Sequence, residues 1–260
     1  MSETGFLRVG GRRLEYAWHG PKPDASPTLV FLHEGLGSVG MWRDFPARLA
    51  DATGCGALIY SRAGYGKSDP VSLPRPIGYM HDEAIEVLPG VLAAAGVRRH
   101  VLVGHSDGAS IAIIHAGAKP MPGLLGLVLE APHVFTEEIS VRSIAAAAES
   151  YRNSDLREKL RRWHGDNVDC AFLGWNQAWL DPVFLRWNIE EYLPHIAVPA
   201  LAIQGESDEY GTKAQVEAIA QQSGAAVEVD MLPDCGHSPH RDQPEKVLAA
   251  MAGFIARRTR

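Results

Sequence analysis

The sequence has few cysteines, and they are not paired. Its 260 residues contain 3 of them, Cys55, Cys170 and Cys235, which lie far apart and form no Cys-x-x-Cys pair. An odd, widely spaced set gives no basis for a disulfide framework or a thiolate zinc site. We therefore expect reduced thiols.

Long apolar runs and an excess of basic charge are also missing. No segment approaches the roughly 18 apolar residues that a membrane-spanning helix needs, and the N-terminal residues MSETGFLRVGGRRLEYAW lack the pattern of a secretory signal. With a formal net charge of -6, the chain has no basic field for nucleic acid. We predict a cytoplasmic protein that binds neither nucleic acid nor membrane; homo-oligomer formation stays open.

Short apolar runs alternate with helical stretches along the chain. Residues 5–18 read as two strands around Gly10 and Gly11. Further runs lie at 28–33, 57–61, 100–105, 124–131 and 200–205, and the helical stretches at 42–52, 79–95, 107–117, 212–222 and 244–257. Such runs fit strands buried on both faces. The alternation predicts an α/β fold with a mostly parallel sheet covered by helices on both sides.

One segment interrupts this alternation. Between Pro132 and Pro199 no buried strand is visible, only helix-like pieces such as SVRSIAAAAESYRN and SDLREKLRRWHG, followed by a tryptophan-rich stretch. We interpret 132–196 as a helical cap inserted into a core formed by 1–131 and 197–260. The total length fits one globular domain.

The apolar run at 100–105 leads directly into a serine that lies between two glycines. Gly104-His105-Ser106-Asp107-Gly108 matches Gly-x-Ser-x-Gly at a strand end, directly before the helical run ASIAIIHAG. The glycines permit the sharp turn that exposes the serine oxygen at a helix N-terminus. We interpret Ser106 as a nucleophile, which then needs a base, a group that orients the base, and donors for an oxyanion.

A histidine late in the chain supplies the base. His237 lies in DCGHSPHRDQPEKV, between the strand-like VEVDML and the last helix. His240 competes with it, and HSPH resembles a metal-binding pair, but the proline and the lack of nearby acidic or thiolate ligands argue against a metal. We choose His237 and expect His240 to be a loop or surface histidine; no metal or cofactor is predicted.

The orienting carboxylate should follow a late strand. ALAIQGESDEYG offers Glu206, Asp208 and Glu209, of which we choose Asp208 and expect the other two to be solvated. The predicted residues then run in the order serine, acid, histidine, which differs from the chymotrypsin and subtilisin orders.

With these residues the chain resembles the α/β-hydrolase superfamily over its full length outside the cap. FLHEGLGSVGMW is similar to that family's oxyanion loop, and YSRAGYGKSDP to its Asp-x-Arg-Gly-x-Gly-x-Ser loop, here with Ser61 for the aspartate and Ala63 where glycine is frequent. The resemblance implies an α/β-hydrolase fold with an inserted helical cap. It also implies the backbone N–H groups of Gly35 and Asp107 as oxyanion donors.

Glu34 departs from the family pattern, because it stands where glycine is usual. A carboxylate beside an oxyanion hole opposes the developing charge unless it is neutralised or turned away. We favour an ion pair with Arg62 that holds the loop. The alternative is that Glu34 binds an amine or hydroxyl of the substrate, or positions a water.

The cap segment is rich in tryptophan. Trp163, Trp175, Trp179 and Trp187 are candidate pocket residues, since large amphipathic rings suit an aromatic or medium-length acyl group. Packing of the cap on the core is the competing explanation for most of them.

Together these residues predict a serine hydrolase that cleaves an ester or thioester of a small to medium, possibly aromatic, acyl group through an acyl-enzyme. Ser106 attacks, His237 is the base and Asp208 orients it. Hydrolysis of a carbon–carbon bond in a ring-cleavage product stays open, as does hydrolysis of an amide or lactone. A small-molecule receptor on the same fold is the alternative from another class.

Overall fold

The centre of the molecule is an eight-stranded sheet. The computed structural model describes residues 3–118 and 122–259. Its strands are β1 (Glu3–Val9), β2 (Arg12–His19), β3 (Thr28–Leu32), β4 (Gly56–Tyr60), β5 (His100–His105), β6 (Leu124–Glu130), β7 (Ala200–Gly205) and β8 (Val227–Leu232). They are ordered β1-β2-β4-β3-β5-β6-β7-β8. β2 pairs antiparallel with β1 and β4, and the other neighbours are parallel.

Helices connect these strands. They are α1 (Phe45–Thr53), α2 (Tyr79–Asp82), α3 (Leu88–Ala94), α4 (Asp107–Ala118), α5 (Glu138–Asn153), α6 (Leu156–His164), α7 (Val168–Trp179), α8 (Ala214–Gln222), α9 (Pro239–Asp242) and α10 (Pro244–Thr259). A π-helical turn, Glu83–Val87, joins α2 to α3. The helix predicted at 79–95 is thus continuous but changes its winding just before Pro89, which has no N–H to donate. No helix within 3–118 and 122–259 is long and apolar enough to cross a membrane.

Both faces of the sheet are buried. In β5, Val101 and Val103 join one apolar cluster with Phe254 of α10, whereas Leu102 joins the opposite cluster with Ile113 of α4. This alternation explains why the strand is apolar at successive positions, because each face packs against helices. The predicted fold class, a mostly parallel sheet covered on both sides, is confirmed.

The connection from β6 to β7 contains α5, α6 and α7. Apart from one isolated bridge between Phe135 and Asn188, its described residues form no strand. Buried side chains from these helices, including Ile144, Leu160 and Phe172, belong to the same apolar cluster as α4. These helices therefore pack on the α4 side of the sheet.

The turn between β5 and α4 requires glycine on both sides of Ser106. Ser106 has a φ of 53°, in the left-handed region that costs energy for residues with a Cβ. A Cβ on Gly108 would overlap the carbonyl oxygen of Leu32 in β3, and one on Gly104 would overlap the carbonyl of Gly108. The backbones thus meet closely enough to fix where the serine oxygen points.

We predict that Gly108→Ala lowers the free energy of unfolding by at least about 3 kcal/mol, because the methyl group meets rigid backbone. Urea denaturation measures the change. The control is Gly78→Ala: Gly78 has a φ of -78°, and no atom lies within 4 Å of an added Cβ. There we expect a change of less than about 1 kcal/mol, because the entropy gained from the unfolded chain is offset by the poorer N-cap of α2. Equal stabilities for the two variants would contradict the close-approach argument.

Candidate active site

Three side chains form one hydrogen-bonded chain at the carboxyl edge of the sheet. Ser106 follows β5, Asp208 follows β7 and His237 follows β8. Nε2 of His237 lies 3.0 Å from Oγ of Ser106, and Nδ1 lies 2.8 Å from Oδ1 of Asp208. The three residues chosen from the sequence therefore lie together, because parallel strands deliver their following loops to one edge.

The environment of Asp208 sets the tautomer of His237. Its carboxylate is buried and accepts the backbone N–H groups of Tyr210, at 2.8 Å, and Gly211, at 3.2 Å. Burial raises the pKa of Asp208, but the contacts with His237 and the Tyr210 N–H lower it by more, so this pKa lies below its usual value. An ionised carboxylate only accepts hydrogen bonds, so Nδ1 of His237 carries the proton. Nε2 then offers a lone pair to the Ser106 hydroxyl.

The other two candidate carboxylates, Glu206 and Glu209, form no hydrogen bond with the imidazole ring of His237. Glu206 is exposed. Glu209 is also exposed, and its Oε2 accepts the backbone N–H of His237 at 3.2 Å. Only Asp208, among the three, bonds to the ring itself.

Gly35 and Asp107, whose N–H groups were predicted as oxyanion donors, lie on neighbouring strand ends. Gly35 is in the loop after β3, and Asp107 is the first residue of α4, after β5. Gly35 lines the same cavity as Ser106. A Cβ on Gly35 would overlap the indole of Trp175, so only glycine fits beneath that ring.

A buried arginine holds the loop that contains Gly35. The guanidinium of Arg62 donates to the carbonyl of His33 and, at 3.0 Å, to the carbonyl of Glu34. The His33 ring donates from Nδ1 to the Glu34 carbonyl, at 2.7 Å, and accepts the Arg62 N–H at Nε2, at 3.0 Å. Burial and the nearby Arg62 cation hold the pKa of His33 well below its usual value. A neutral imidazole is what this donor and acceptor pair requires.

The side chain of Asp107 is a site feature that the sequence analysis missed. It is fully buried and accepts hydrogen bonds from the Tyr79 hydroxyl and from Nε1 of Trp179, the latter at 3.2 Å. The Arg62 guanidinium lies 3.8 Å away. A signal was available, because α4 is apolar on every side and a carboxylate in its first turn must be buried with partners.

A cavity of about 230 Å³ opens over Ser106 and His237. Its apolar wall is formed by Leu36, Met41, Ile144, Leu160, Trp175 and Trp179. Its polar lining includes Glu34, Glu209 and Arg241. The cavity thus places an apolar wall and several charged groups next to Ser106 and His237.

The four candidate tryptophans separate into two pairs. Trp175 and Trp179 line the cavity. Trp163 and Trp187 are not part of its lining, which corrects the prediction for these two. Trp163 is 39% exposed, and Trp187 stacks on Phe184 with ring centroids 5.2 Å apart. The positions of the tryptophans in the sequence did not show which of the rings line the cavity over Ser106.

The expected ion pair between Glu34 and Arg62 is not formed. Arg62 binds the backbone carbonyl of Glu34, whereas the Glu34 carboxylate turns away from it. Its Oε2 lies 3.5 Å from Nδ1 of His105 and its Oε1 lies 3.5 Å from the Arg241 guanidinium. The Arg62 guanidinium instead lies close to Asp107 and bonds to the loop carbonyls. The Glu34 carboxylate has Arg241 of α9 as its neighbouring cation.

His240 is not a surface histidine. It is 4% exposed, and both its backbone N–H and its Nδ1 contact the carboxylate of Glu130, at 2.9 and 3.1 Å. Its ring also packs against Trp42, with centroids 4.8 Å apart. The short helix α9 turns this ring inward. His237 therefore bonds to Ser106 and Asp208, whereas His240 bonds to Glu130.

The sheet order, the sharp turn after β5 and the loops at its carboxyl edge define the α/β-hydrolase fold. Residues 29–250 match the model of the Alpha/beta hydrolase family, so the chain belongs to that family.

Several known proteins are similar to this chain. The 2-succinyl-6-hydroxy-2,4-cyclohexadiene-1-carboxylate synthase of Salmonella heidelberg is 26% identical over 263 residues, spanning 92% of this chain and 98% of that protein. The esterase EaEST from Exiguobacterium antarcticum superposes with a TM-score of 0.78 at 19% identity, over 97% of this chain and 99% of that one. Carboxylesterase CesB from Bacillus subtilis superposes with a TM-score of 0.74 at 21% identity, over 98% of this chain and 92% of that one. At these identities, the two solved structures establish the shared fold.

We predict that Arg62→Met lowers the free energy of unfolding by about 3–5 kcal/mol, because Asp107 is left buried without its cation and two loop carbonyls lose their donor. Urea denaturation measures the loss. Arg99 is exposed, and Arg99→Met should change the stability by less than about 0.5 kcal/mol. A similarly small effect at Arg62 would show that this guanidinium does not support the loop.

Proposed function

We propose that this protein is a serine hydrolase that cleaves a carboxylic ester or thioester through an acyl-enzyme. One observation carries the proposal: Oγ of Ser106 is hydrogen-bonded to Nε2 of His237, whose Nδ1 is hydrogen-bonded to Asp208, and Ser106 lines a cavity with an apolar wall. A base that holds its proton on the far nitrogen is the arrangement that activates a serine hydroxyl.

The reaction follows from the positions of these groups. The Ser106 proton passes to Nε2 of His237 while Oγ bonds to the acyl carbon, and Asp208 stabilises the imidazolium that forms. The imidazolium then protonates the departing alcohol or thiol as its bond to the acyl carbon breaks. Water then gives a proton to the same nitrogen as its oxygen bonds to the acyl carbon. The bond from that carbon to Oγ of Ser106 breaks, the acid leaves, and the imidazolium returns the proton to Oγ.

The backbone N–H groups of Gly35 and Asp107 are our proposed oxyanion donors. They come from the loop after β3 and from the start of α4, which Arg62 connects, since its guanidinium contacts the Glu34 carbonyl beside Gly35 and lies near the Asp107 carboxylate. Donors fixed before the reaction need no reorganisation when charge develops, and each is typically worth about 10²-fold or more in rate.

The synthase activity of the Salmonella relative is a weaker candidate for this chain. The name of that enzyme specifies a product with a carboxylate. Among the described residues that line the cavity, Arg241 is the one with a guanidinium, and it is already bonded to the Met41 carbonyl and close to Glu34. A carboxylate enters a desolvated site readily only where a cation is free to pair with it.

We predict that the purified protein turns over p-nitrophenyl esters repeatedly and that Ser106→Ala lowers the rate by about 10³-fold or more, because the nucleophile is lost. Steady-state release of p-nitrophenol measures this. A fluorophosphonate should add once to the wild type and not to the variant, as read by intact mass. Ser72 is exposed, and Ser72→Ala should behave as wild type. A single stoichiometric burst without turnover would instead favour a receptor.

We further predict that Asp208→Asn lowers kcat by about 10³- to 10⁴-fold with little change in folding, because an amide can donate to Nδ1 and leave the proton on Nε2, facing Ser106. Rates on one ester and the circular-dichroism melting curve measure both effects. Glu206→Gln removes a charge from the same loop and should leave kcat unchanged. Activity that survives Asp208→Asn would remove Asp208 from the mechanism.

A further inference from the structure

The lining of the cavity combines apolar and charged side chains. Leu36, Ile144 and Trp175 belong to the apolar wall, whereas Glu34, Glu209 and Arg241 supply the charged groups. Glu209 is exposed and bonded to the His237 N–H, which places it at the outer part of the site. The Glu34 side chain is 15% exposed, which makes it the more enclosed of the two carboxylates.

Glu34 and Arg241 form an ion pair beside the cavity. Oε1 of Glu34 lies 3.5 Å from the Arg241 guanidinium, whose NH2 group also donates to the Met41 carbonyl at 3.0 Å. Oε2 of Glu34 lies 3.5 Å from Nδ1 of the buried His105. Burial raises the pKa of Glu34, but the contacts with His105 and Arg241 lower it by more, and the result lies well below the usual value. Glu34 is therefore a carboxylate anion beside the acyl site.

We propose that the cavity accepts uncharged acyl groups and rejects acyl groups that end in a carboxylate, and that Glu34 is the residue that determines this preference. The inference rests on the proposed hydrolase function. A second carboxylate in the cavity would lose part of its water and meet the Glu34 anion, which already lies beside the Arg241 guanidinium and compensates its charge. An alkyl or aryl chain instead meets Leu36, Ile144 and Trp175.

The same pair predicts how the preference can be changed. Glu34→Gln removes the anion and releases Arg241, which can then pair with a substrate carboxylate through its planar fork. Arg241→Gln removes the cation and keeps the anion, so it should not improve the acceptance of a carboxylate. A role of the pair in loop structure alone would make both variants lose activity on every ester alike.

The test compares p-nitrophenyl hexanoate with mono-p-nitrophenyl adipate at neutral pH. Wild type should prefer the hexanoate in kcat/KM by at least about tenfold, and Glu34→Gln should reduce that ratio by about tenfold. Arg241→Gln should leave the ratio unchanged or raise it. The matched control is Glu206→Gln, which removes one exposed carboxylate outside the cavity lining and should keep the wild-type ratio.

A binding measurement separates this inference from the proposed function. Calorimetric titration of the Ser106→Ala protein with both intact esters gives two dissociation constants without catalysis. Tighter binding of the hexanoate by Ser106→Ala, together with no turnover of either ester by the wild type, would support the charge preference and remove the hydrolase. Equal treatment of the esters, no binding of either, or a ratio unmoved by Glu34→Gln would overturn the charge preference, whatever the activity.

Discussion

The geometry of the site depends on one buried guanidinium. Arg62 is 1% exposed, yet it carries a charge that must be compensated inside the protein. It bonds to the carbonyls of His33 and Glu34 and lies 3.8 Å from Asp107, so one side chain connects the loop after β3 with the first residue of α4. Because Asp107 also bonds to Trp179, the position of the cavity wall is linked to the position of the serine.

The carboxyl edge of the sheet combines a closely packed backbone with polar side chains that are held by several hydrogen bonds. Gly104 and Gly108 let β5 and α4 approach until the backbone of Ser106 is forced into a left-handed conformation. Buried donors hold Asp208 in turn, which directs the His237 ring towards Ser106. Precision of this kind comes from packing around the site, because loops alone would leave the three groups free to separate.

Much of the fold could be read from local patterns. Apolar runs bounded by glycine, proline or aspartate marked the buried strands to within a few residues, as for β5 and β7, because strands buried on both faces have a composition of their own. The serine, acid and histidine could be chosen for a similar reason: each follows a recognisable strand. The partners of Glu34, the burial of His240 and the contacts of the Asp107 side chain could not, because each depends on residues distant in sequence.

The sequence by itself determined the succession of strands and helices along the chain and singled out Ser106, Asp208 and His237 as candidate site residues, since hydrophobic periodicity and a glycine-bounded turn are local properties. Only the tertiary structure decided which charges meet and which tryptophans face the cavity. Arg62 turned out to serve Asp107 and the loop carbonyls, and Arg241 to lie beside Glu34. A long charged side chain can reach several partners, and the competition among them is settled by burial and distance in the folded chain.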